Sequence, residues 1–256
     1  MHEGRVIAER YAPGYGLATA IAGNSATKSV VSALVGILVR EGRIAVHQPA
    51  PVAAWRNPGD SRHAITIDQL LRMTAGFSTD ERGFPPPATR MWFLEPDVAE
   101  FAAHRSIVAV PGSTWNYSNA NYELLSRILR DSVGGPAEVL QFAQRELFAP
   151  LGMHSVTLEF DATGTPMGSK FMFASARDWA RFGLLYLGDG VVGDIGSCPR
   201  VGCTIPHHRP SRRATELGFG QTCQMRKSLR WVSPGACPAP LGIRTLPAAI
   251  WVNMSW

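Results

Sequence analysis

Lysine is scarce in this chain. Only three of its 25 basic residues are lysines, at positions 28, 170 and 227, and the others are arginines. Arginine stays protonated in proteins and cannot take a proton from a hydroxyl group. If the chain uses an amine as a general base, that base is therefore Lys28, Lys170 or Lys227.

Cysteine is missing from the first 193 residues, and all four cysteines lie in the remainder. The larger part of the chain therefore needs no disulfide, which leaves its redox compartment open. The residues Cys198, Cys203, His207 and His208 do not have the spacing of an established zinc site. We predict neither a metal nor a cofactor.

The chain also lacks a hydrophobic run long enough to span a membrane. The longest run, Val30 to Val39, contains Ser32 and Gly36 and is about half the length that a bilayer requires. No secretory segment opens the sequence. We therefore expect a cytoplasmic location for the chain as written, and a periplasmic or secreted one if the N-terminus is truncated.

Acidic residues become rare after residue 193. Residues 1–193 carry 17 basic and 18 acidic side chains, whereas residues 194–256 carry 8 and 2. No zinc-finger spacing or aromatic-interleaved basic face accompanies this basic excess, so we predict no nucleic-acid partner. Neither helical nor strand periodicity is sustained after residue 193. We divide the chain into a globular region, residues 1–193, and a basic tail, residues 194–256, that is not native to the same fold.

One short motif introduces the most apolar helix of the globular region. The sequence Ser25-Ala26-Thr27-Lys28 runs directly into an apolar segment that ends before Gly42. We predict a buried helix over 25–41, because apolar residues surround it on nearly all sides. Ser25 and Lys28 are three residues apart and share one face of that helix. Desolvation lowers the pKa of a lysine, which can then take the proton of a neighbouring serine, so Ser25 is a candidate nucleophile.

A second motif, Tyr117-Ser118-Asn119, follows a Pro-Gly turn and leads into another predicted helix. Beside a lysine ammonium a tyrosine phenolate becomes accessible, which makes Tyr117 a candidate proton relay to a leaving group. The amide of Asn119 is a candidate contact for an ester or amide carbonyl. Each motif also has an ordinary interpretation, the first as an N-capping serine with a surface lysine and the second as a turn.

The remaining patterns predict a mixed fold. Residues Arg5–Tyr11 are typical of a strand, and Thr66 and Gln69 have the spacing of a capping box. The Gly- and Pro-rich segment 77–89 is predicted to be a surface loop, whose aromatic neighbours either wall a pocket or, more commonly, pack beneath it. These neighbours are Phe84, Trp92 and Phe93. Helical periodicity predicts further helices at Val98–His104, Tyr122–Val133, Ala137–Phe148 and Ser175–Leu187.

The order of these motifs resembles that of the serine β-lactamase and penicillin-binding protein superfamily. The resemblance rests on Ser25-Ala26-Thr27-Lys28, residues 65–76 and Tyr117-Ser118-Asn119, and it continues through residues 174–183. It covers residues 5–193 and is greatest to the class C-like branch, which includes esterases, D-aminopeptidases and 6-aminohexanoate-oligomer hydrolases. No Gly-x-Ser-x-Gly or His-Glu-x-x-His motif supports another hydrolase template.

The resemblance implies an α+β fold, with an antiparallel sheet flanked by helices and a mostly helical insert. We expect the sheet to be incomplete at both chain ends. The resemblance also implies a serine hydrolase of small esters or amides that works through a covalent acyl-enzyme. In this chain Ser25 would be acylated, Lys28 and Tyr117 would activate it, and Asn119 would contact the substrate.

The family's third motif, Lys-Thr-Gly or a variant of it, is not recognisable in residues 194–256. In the family this motif supplies the second oxyanion N–H and one wall of the pocket. The alternative is therefore a catalytically impaired or silent relative that at most binds ligand. Since no Lys-Thr-Gly is present to receive a β-lactam carboxylate, an esterase or amide hydrolase is favoured over a β-lactamase.

The basic tail has a specific candidate origin. With suitable codons, the segment 193–203 read in a shifted frame gives a stop followed by HRILPEGWV, which resembles what the family carries after its Gly-Asp-Gly-Val-Val stretch. We hypothesise that residues 194–256 are the family's C-terminal region in a shifted frame. The coding DNA tests this hypothesis, which is wrong if no single-base shift restores sheet-forming sequence.

Overall fold

Helix α1 (Thr27–Arg40) lies at the centre of the fold, between two hydrophobic clusters. The computed structural model describes residues 2, 4–79, 82–188 and 190. Every residue of α1 from Thr27 to Leu38 is buried. Val31 and Val35 pack into one cluster, while Leu34 and other α1 residues pack into the second. The helix is apolar on nearly all sides because it has a core partner on each of them.

The described residues form six further α-helices. These helices pack directly on one another, and α5 contacts α1, α2, α4 and α6. The helices are α2 (Ile67–Leu71), α3 (Pro87–Phe93), α4 (Val98–Ala103), α5 (Ala120–Val133), α6 (Pro136–Ala143) and α7 (Ala176–Leu187). A π-helical turn, Gln144–Phe148, continues α6, and the 3₁₀ turns Asn24–Ala26 and Ala53–Trp55 complete the helical elements of the described residues.

The sheet within the described residues has three short antiparallel strands in the order β1-β3-β2. They are β1 (Ile21–Ala22), β2 (Thr157–Leu158) and β3 (Met172–Ala174). Residue 21 pairs with Ala174, and Leu158 pairs with Met172. Helices together with an antiparallel sheet confirm the predicted α+β class.

The N-terminal strand predicted at Arg5–Tyr11 is wrong. Arg5 forms only an isolated bridge with His2, and the rest of the segment has no strand structure. The side chains of Val6 and Ile7 are 49% and 58% exposed. A strand needs a hydrogen-bonded neighbour, and no described strand lies beside this segment.

Most helix boundaries follow the predictions, but the surface loop predicted over 77–89 is wrong at its end, because α3 begins at Pro87, a residue that is favoured at the first position of a helix. At α2, the Thr66 side chain accepts a hydrogen bond from the Gln69 backbone N–H, and the Gln69 side chain bonds the Thr66 N–H in return. This confirms the capping box. The side chains of Asp97 and Ser175 cap α4 and α7 in the same way, each accepting from a backbone N–H three residues later.

Candidate active site

Ser25 is held in a tight turn immediately before α1. It lies in the 3₁₀ turn Asn24–Ala26, where Asn24 has a left-handed φ of 45°, which asparagine tolerates better than most residues. The Gly23 N–H donates to the carbonyl of Met172 in β3 at 2.8 Å. A Cβ at position 23 would collide with the Trp179 ring, so only glycine fits there. The turn is therefore fixed between the sheet and α7.

The structure brings Lys28 and Tyr117 to the hydroxyl of Ser25. Lys28 Nζ lies 3.2 Å from Ser25 Oγ, and Tyr117 OH lies 2.6 Å from the same oxygen. The ammonium is also 5.1 Å from the centroid of the Tyr117 ring. Tyr117 comes from a loop 92 residues further along the chain, so tertiary structure and not local spacing makes the contact.

Lys28 is buried, and its amine is held from two sides. The residue is 2% exposed, and Nζ donates to the carbonyl of Ser169 at 2.6 Å in addition to its bond with Ser25. The pKa of Lys28 is lowered to about 7, mainly by desolvation, which the negative charge of Glu123 opposes and the positive charge of Lys170 reinforces. An amine with such a pKa is available as a proton acceptor near neutral pH.

Tyr117 and Asn119 are positioned by the start of α5. The Asn119 carbonyl accepts hydrogen bonds from the backbone N–H groups of Tyr122 and Glu123, which places Asn119 at the N-cap of the helix. The loop before it is anchored by Asn116, whose side chain donates to the Phe77 carbonyl at 2.7 Å. Rigid anchoring of this kind fixes the direction of the Tyr117 phenol.

Tyr122 is a second tyrosine near Lys28, but its phenol is engaged elsewhere. Its OH bonds the Ser32 hydroxyl at 3.0 Å and donates to the Leu71 carbonyl at 3.2 Å. Burial raises the pKa of Tyr122 to about 12, so the phenol remains protonated. Tyr122 thus stabilises the packing of α1, α2 and α5 and does not reach Ser25 in this arrangement.

A pocket of about 310 Å³ opens beside Tyr117 and Asn119, whereas Ser25 and Lys28 are not among the residues that line it. Tyr117 and Asn119 lie on its wall, together with residues from α3, α4 and the start of α5. The other lining residues are Thr79, Pro87, Ala88, Met91, Phe101, Arg105, Ser118 and Ala120. The pocket combines apolar side chains with a few polar groups, which is the usual composition of a small-molecule site.

The three aromatic residues around the proline-rich loop do not line this pocket. Phe84 is fully exposed, and Phe93 is 64% exposed with its edge against Phe171. Trp92 packs edge-on against Phe171, with 5.9 Å between the ring centroids. Trp92 thus packs against the first hydrophobic cluster and not on the pocket wall.

Sequence reasoning missed a group of buried polar residues behind Lys28. Ser169 donates its hydroxyl to the Glu123 carboxylate, and Trp92 Nε1 donates to that carboxylate at 3.1 Å. Trp92 Nε1 is also 3.1 Å from the Ser169 hydroxyl. The three residues come from three separate segments, and no spacing rule connects them in the sequence.

Comparison with models of protein families identifies the family of this chain. The family model described as Beta-lactamase matches residues 1–196, which is most of the chain. The chain belongs to the beta-lactamase family. No curated protein sequence matches it significantly.

This beta-lactamase family member has the same fold as several solved structures. A Bacillus anthracis protein provisionally named a 6-aminohexanoate-dimer hydrolase superposes with a TM-score of 0.67 at 23% identity, covering 78% of this chain and 55% of its own. A D-stereospecific amidohydrolase from Streptomyces gives a TM-score of 0.55 at 21% identity, with coverages of 69% and 63%. A class C beta-lactamase in complex with cefoxitin gives 0.52 at 16% identity, with coverages of 68% and 52%. The chain thus spans between about half and two thirds of the length of these structures.

Two further features of the described residues concern partners. None of their helices combines the length and the apolar character that crossing a bilayer would take. Within residues 2, 4–79, 82–188 and 190, no three His, Cys, Asp or Glu side chains are grouped to hold a metal ion. The tail cysteines and the place of the family's third motif lie outside the described residues.

Proposed function

We propose that this family member is a serine hydrolase that cleaves a small ester or amide through a covalent acyl-enzyme on Ser25. One observation carries the proposal: an amine and a phenol from distant segments both lie within hydrogen-bond reach of the Ser25 hydroxyl. This is the general arrangement of an activated nucleophile. Fold similarity to amide hydrolases and to a β-lactamase supports the same class of chemistry.

In the first step Ser25 Oγ attacks the carbonyl carbon of the substrate and loses its proton. Neutral Lys28, with its lowered pKa, accepts that proton across the 3.2 Å contact. The carbonyl oxygen takes the negative charge, which the dipole at the start of a helix favours. A tetrahedral intermediate results.

In the second step the intermediate collapses, the bond to the leaving group breaks, and the leaving oxygen or nitrogen needs a proton. Tyr117, 2.6 Å from Ser25 Oγ, is placed to pass the proton from the lysine side to the leaving group. Water then attacks the acyl-serine, with the same groups accepting and returning a proton. The products are a carboxylic acid and an alcohol or amine.

The wall of the pocket provides the substrate contacts in this proposal. Asn119 lies on that wall beside Tyr117, so its amide is available to an ester or amide carbonyl. Met91, Phe101 and Ala120 offer apolar surface for the rest of a small substrate. The pocket of about 310 Å³ suits a small molecule and not a folded protein.

A silent relative is the second candidate function. The observation that favours it is the sequence of residues 194–256, in which the family's Lys-Thr-Gly motif is not recognisable. Loss of one oxyanion donor typically lowers the rate by about 10²- to 10³-fold. In that case the pocket would bind ligand without turning it over.

Covalent labelling separates the two candidates. The full chain is incubated with a fluorophosphonate, and intact mass and peptide mapping locate any adduct. The proposal expects one adduct on Ser25, which is lost in Ser25→Ala and retained in Ser29→Ala, a change to a buried serine of α1. An unlabelled wild-type chain, with a reference serine hydrolase labelled in parallel, would support the silent relative.

A further inference from the structure

Glu123 is a buried acid that the proposed mechanism does not use. It lies on α5, is 1% exposed, and points into the interior beside the candidate base. Its Oε1 accepts from Trp92 Nε1 and from the Ser169 hydroxyl, while Oε2 has no hydrogen-bond partner among the described residues. Burying a carboxyl group costs free energy of folding, so an interaction or a function is expected to offset this cost at Glu123.

The hydrogen bonds of Glu123 lead directly to Lys28. Ser169 uses its hydroxyl on Glu123 and its backbone carbonyl on Lys28 Nζ, so a single fully buried residue joins the acid to the amine. Trp92 Nε1 contacts both members of the Glu123–Ser169 pair and holds them in place. The amine that this chain of contacts fixes is the one that lies 3.2 Å from Ser25 Oγ.

We propose that Glu123 is a positioning residue for the candidate base: through Ser169 it holds the Lys28 amine against Ser25, and its charge sets the pH range in which that amine accepts a proton. The inference rests on the proposed function for its catalytic meaning. Its electrostatic part is independent of turnover, because it concerns the protonation of one lysine.

The charge effect has a definite sign. Burial favours neutral Lys28 and thereby lowers its pKa, and the Glu123 carboxylate opposes this by stabilising the ammonium. Burial likewise raises the pKa of Glu123, while the hydrogen bonds from Ser169 and Trp92 and the nearby Lys28 charge lower it. Protonation of the two groups is therefore coupled. Loss of the carboxylate charge leaves the ammonium less stable and moves Lys28 titration to lower pH.

Three other titratable groups face Lys28 within the described residues. Lys170 approaches from the loop before β3 and places its ammonium 4.7 Å from the Trp92 ring centroid. Its charge acts against that of Glu123. The rings of Tyr117 and Tyr122 lie with their centroids 5.1 and 6.0 Å from Lys28 Nζ. Glu123 is thus the one acid among the groups that shift the Lys28 pKa.

The test measures Lys28 directly in the full chain. With only three lysines in the sequence, ¹³C labelling of the lysine ε-carbons gives three signals, and Lys28→Arg identifies the relevant one. The proposal expects a wild-type midpoint near pH 7 and a midpoint lower by about one pH unit in Glu123→Gln, which keeps an oxygen acceptor but removes the charge. Ser126→Ala, a change at another buried residue of α5, should leave the midpoint unchanged.

A second variant separates charge from positioning and remains informative if Glu123→Gln does not fold. Ser169→Ala removes the hydroxyl that joins Glu123 to the Lys28 segment but keeps the acid. It should shift the midpoint in the same direction by a smaller amount and lower kcat more than it raises KM. An unchanged or raised Lys28 midpoint in both variants would overturn the inference.

Fluorophosphonate labelling of the same samples distinguishes the two proposals. If Ser25 is not labelled in the wild type but the Lys28 midpoint still falls in Glu123→Gln, the proposed function fails while the electrostatic inference stands. If Ser25 is labelled and the midpoint does not move, the hydrolase stands and Glu123 has only a packing role.

Discussion

Lys28→Met should make the protein more stable in mildly acidic solution while abolishing its proposed activity. Methionine has a similar length and no charge, so it keeps the packing of α1 and removes the buried amine. The structure gives the sign, because desolvation lowers the pKa of Lys28 from 10.5 to about 7. Because folding depresses the pKa of Lys28, burying its charged form costs free energy of folding. This cost is largest at pH values below about 7, where Lys28 is charged in the folded protein.

The magnitude follows from this shift. Each pH unit corresponds to about 1.4 kcal/mol, so the depressed pKa costs on the order of 5 kcal/mol of folding free energy at pH 6 and about 2 kcal/mol at pH 9. Losing the donor to the Ser169 carbonyl costs about 1–3 kcal/mol at either pH. We therefore expect Lys28→Met to be about 2–4 kcal/mol more stable than wild type at pH 6, with this advantage about 3 kcal/mol smaller at pH 9.

Urea unfolding of both proteins at pH 6 and pH 9, followed by circular dichroism, measures these differences. Ser126→Ala is the matched control, since its Oγ is buried but carries no charge. Its effect on the free energy of unfolding should be the same at both pH values. If the difference between Lys28→Met and wild type is also the same at both, Lys28 does not titrate near neutrality and its assignment as the base is refuted.

Four shorter predictions follow from the same structure. Tyr117→Phe should lower kcat/KM for a p-nitrophenyl ester by about 10²- to 10⁴-fold without changing the circular dichroism spectrum; an unimpaired variant would exclude the proton relay. Wild-type kcat/KM should fall below a midpoint near pH 7, because the reaction requires neutral Lys28; a flat profile from pH 5 to 8 would contradict this. Asn119→Ala should weaken substrate binding and raise KM, which steady-state kinetics measures. Thr66→Ala should lower the free energy of unfolding by about 1 kcal/mol through loss of the capping box, and an unchanged urea midpoint would count against it.

Local signals in the sequence were sufficient for most of the helices, although α3 was missed because its prolines suggested a loop. Periodicity and capping residues predicted α5, α7 and the capping box at Thr66 because these features depend on neighbours within a few residues. Arg5–Tyr11 had strand-like composition but no partner, and strand formation depends on a neighbour that composition does not reveal. The family resemblance added the order of the motifs and is confirmed by the family match.

Some residues of the candidate site were predicted from the sequence and others were not. Ser25 and Lys28 were visible because helical spacing places them on one face, and Tyr117 and Asn119 were visible because they belong to a recognisable motif. Glu123 and Ser169 were not, since their contact spans 46 residues and gives no local pattern. Such a contact is a property of the folded chain, and only coordinates reveal it.

The position of α1 between two hydrophobic clusters has a consequence for variants far from the pocket. Ser25 lies in the turn immediately before that helix. Tyr117 lies in the loop before α5 and packs against the cluster that contains Val31 and Val35. A core substitution that shifts α1 relative to α5 should therefore also change the distance between the Ser25 hydroxyl and the Tyr117 phenol. Loss of the proposed reactivity in a variant can therefore result from a repacked core. The 2.6 Å distance between Ser25 Oγ and Tyr117 OH depends on how α1 packs against α5.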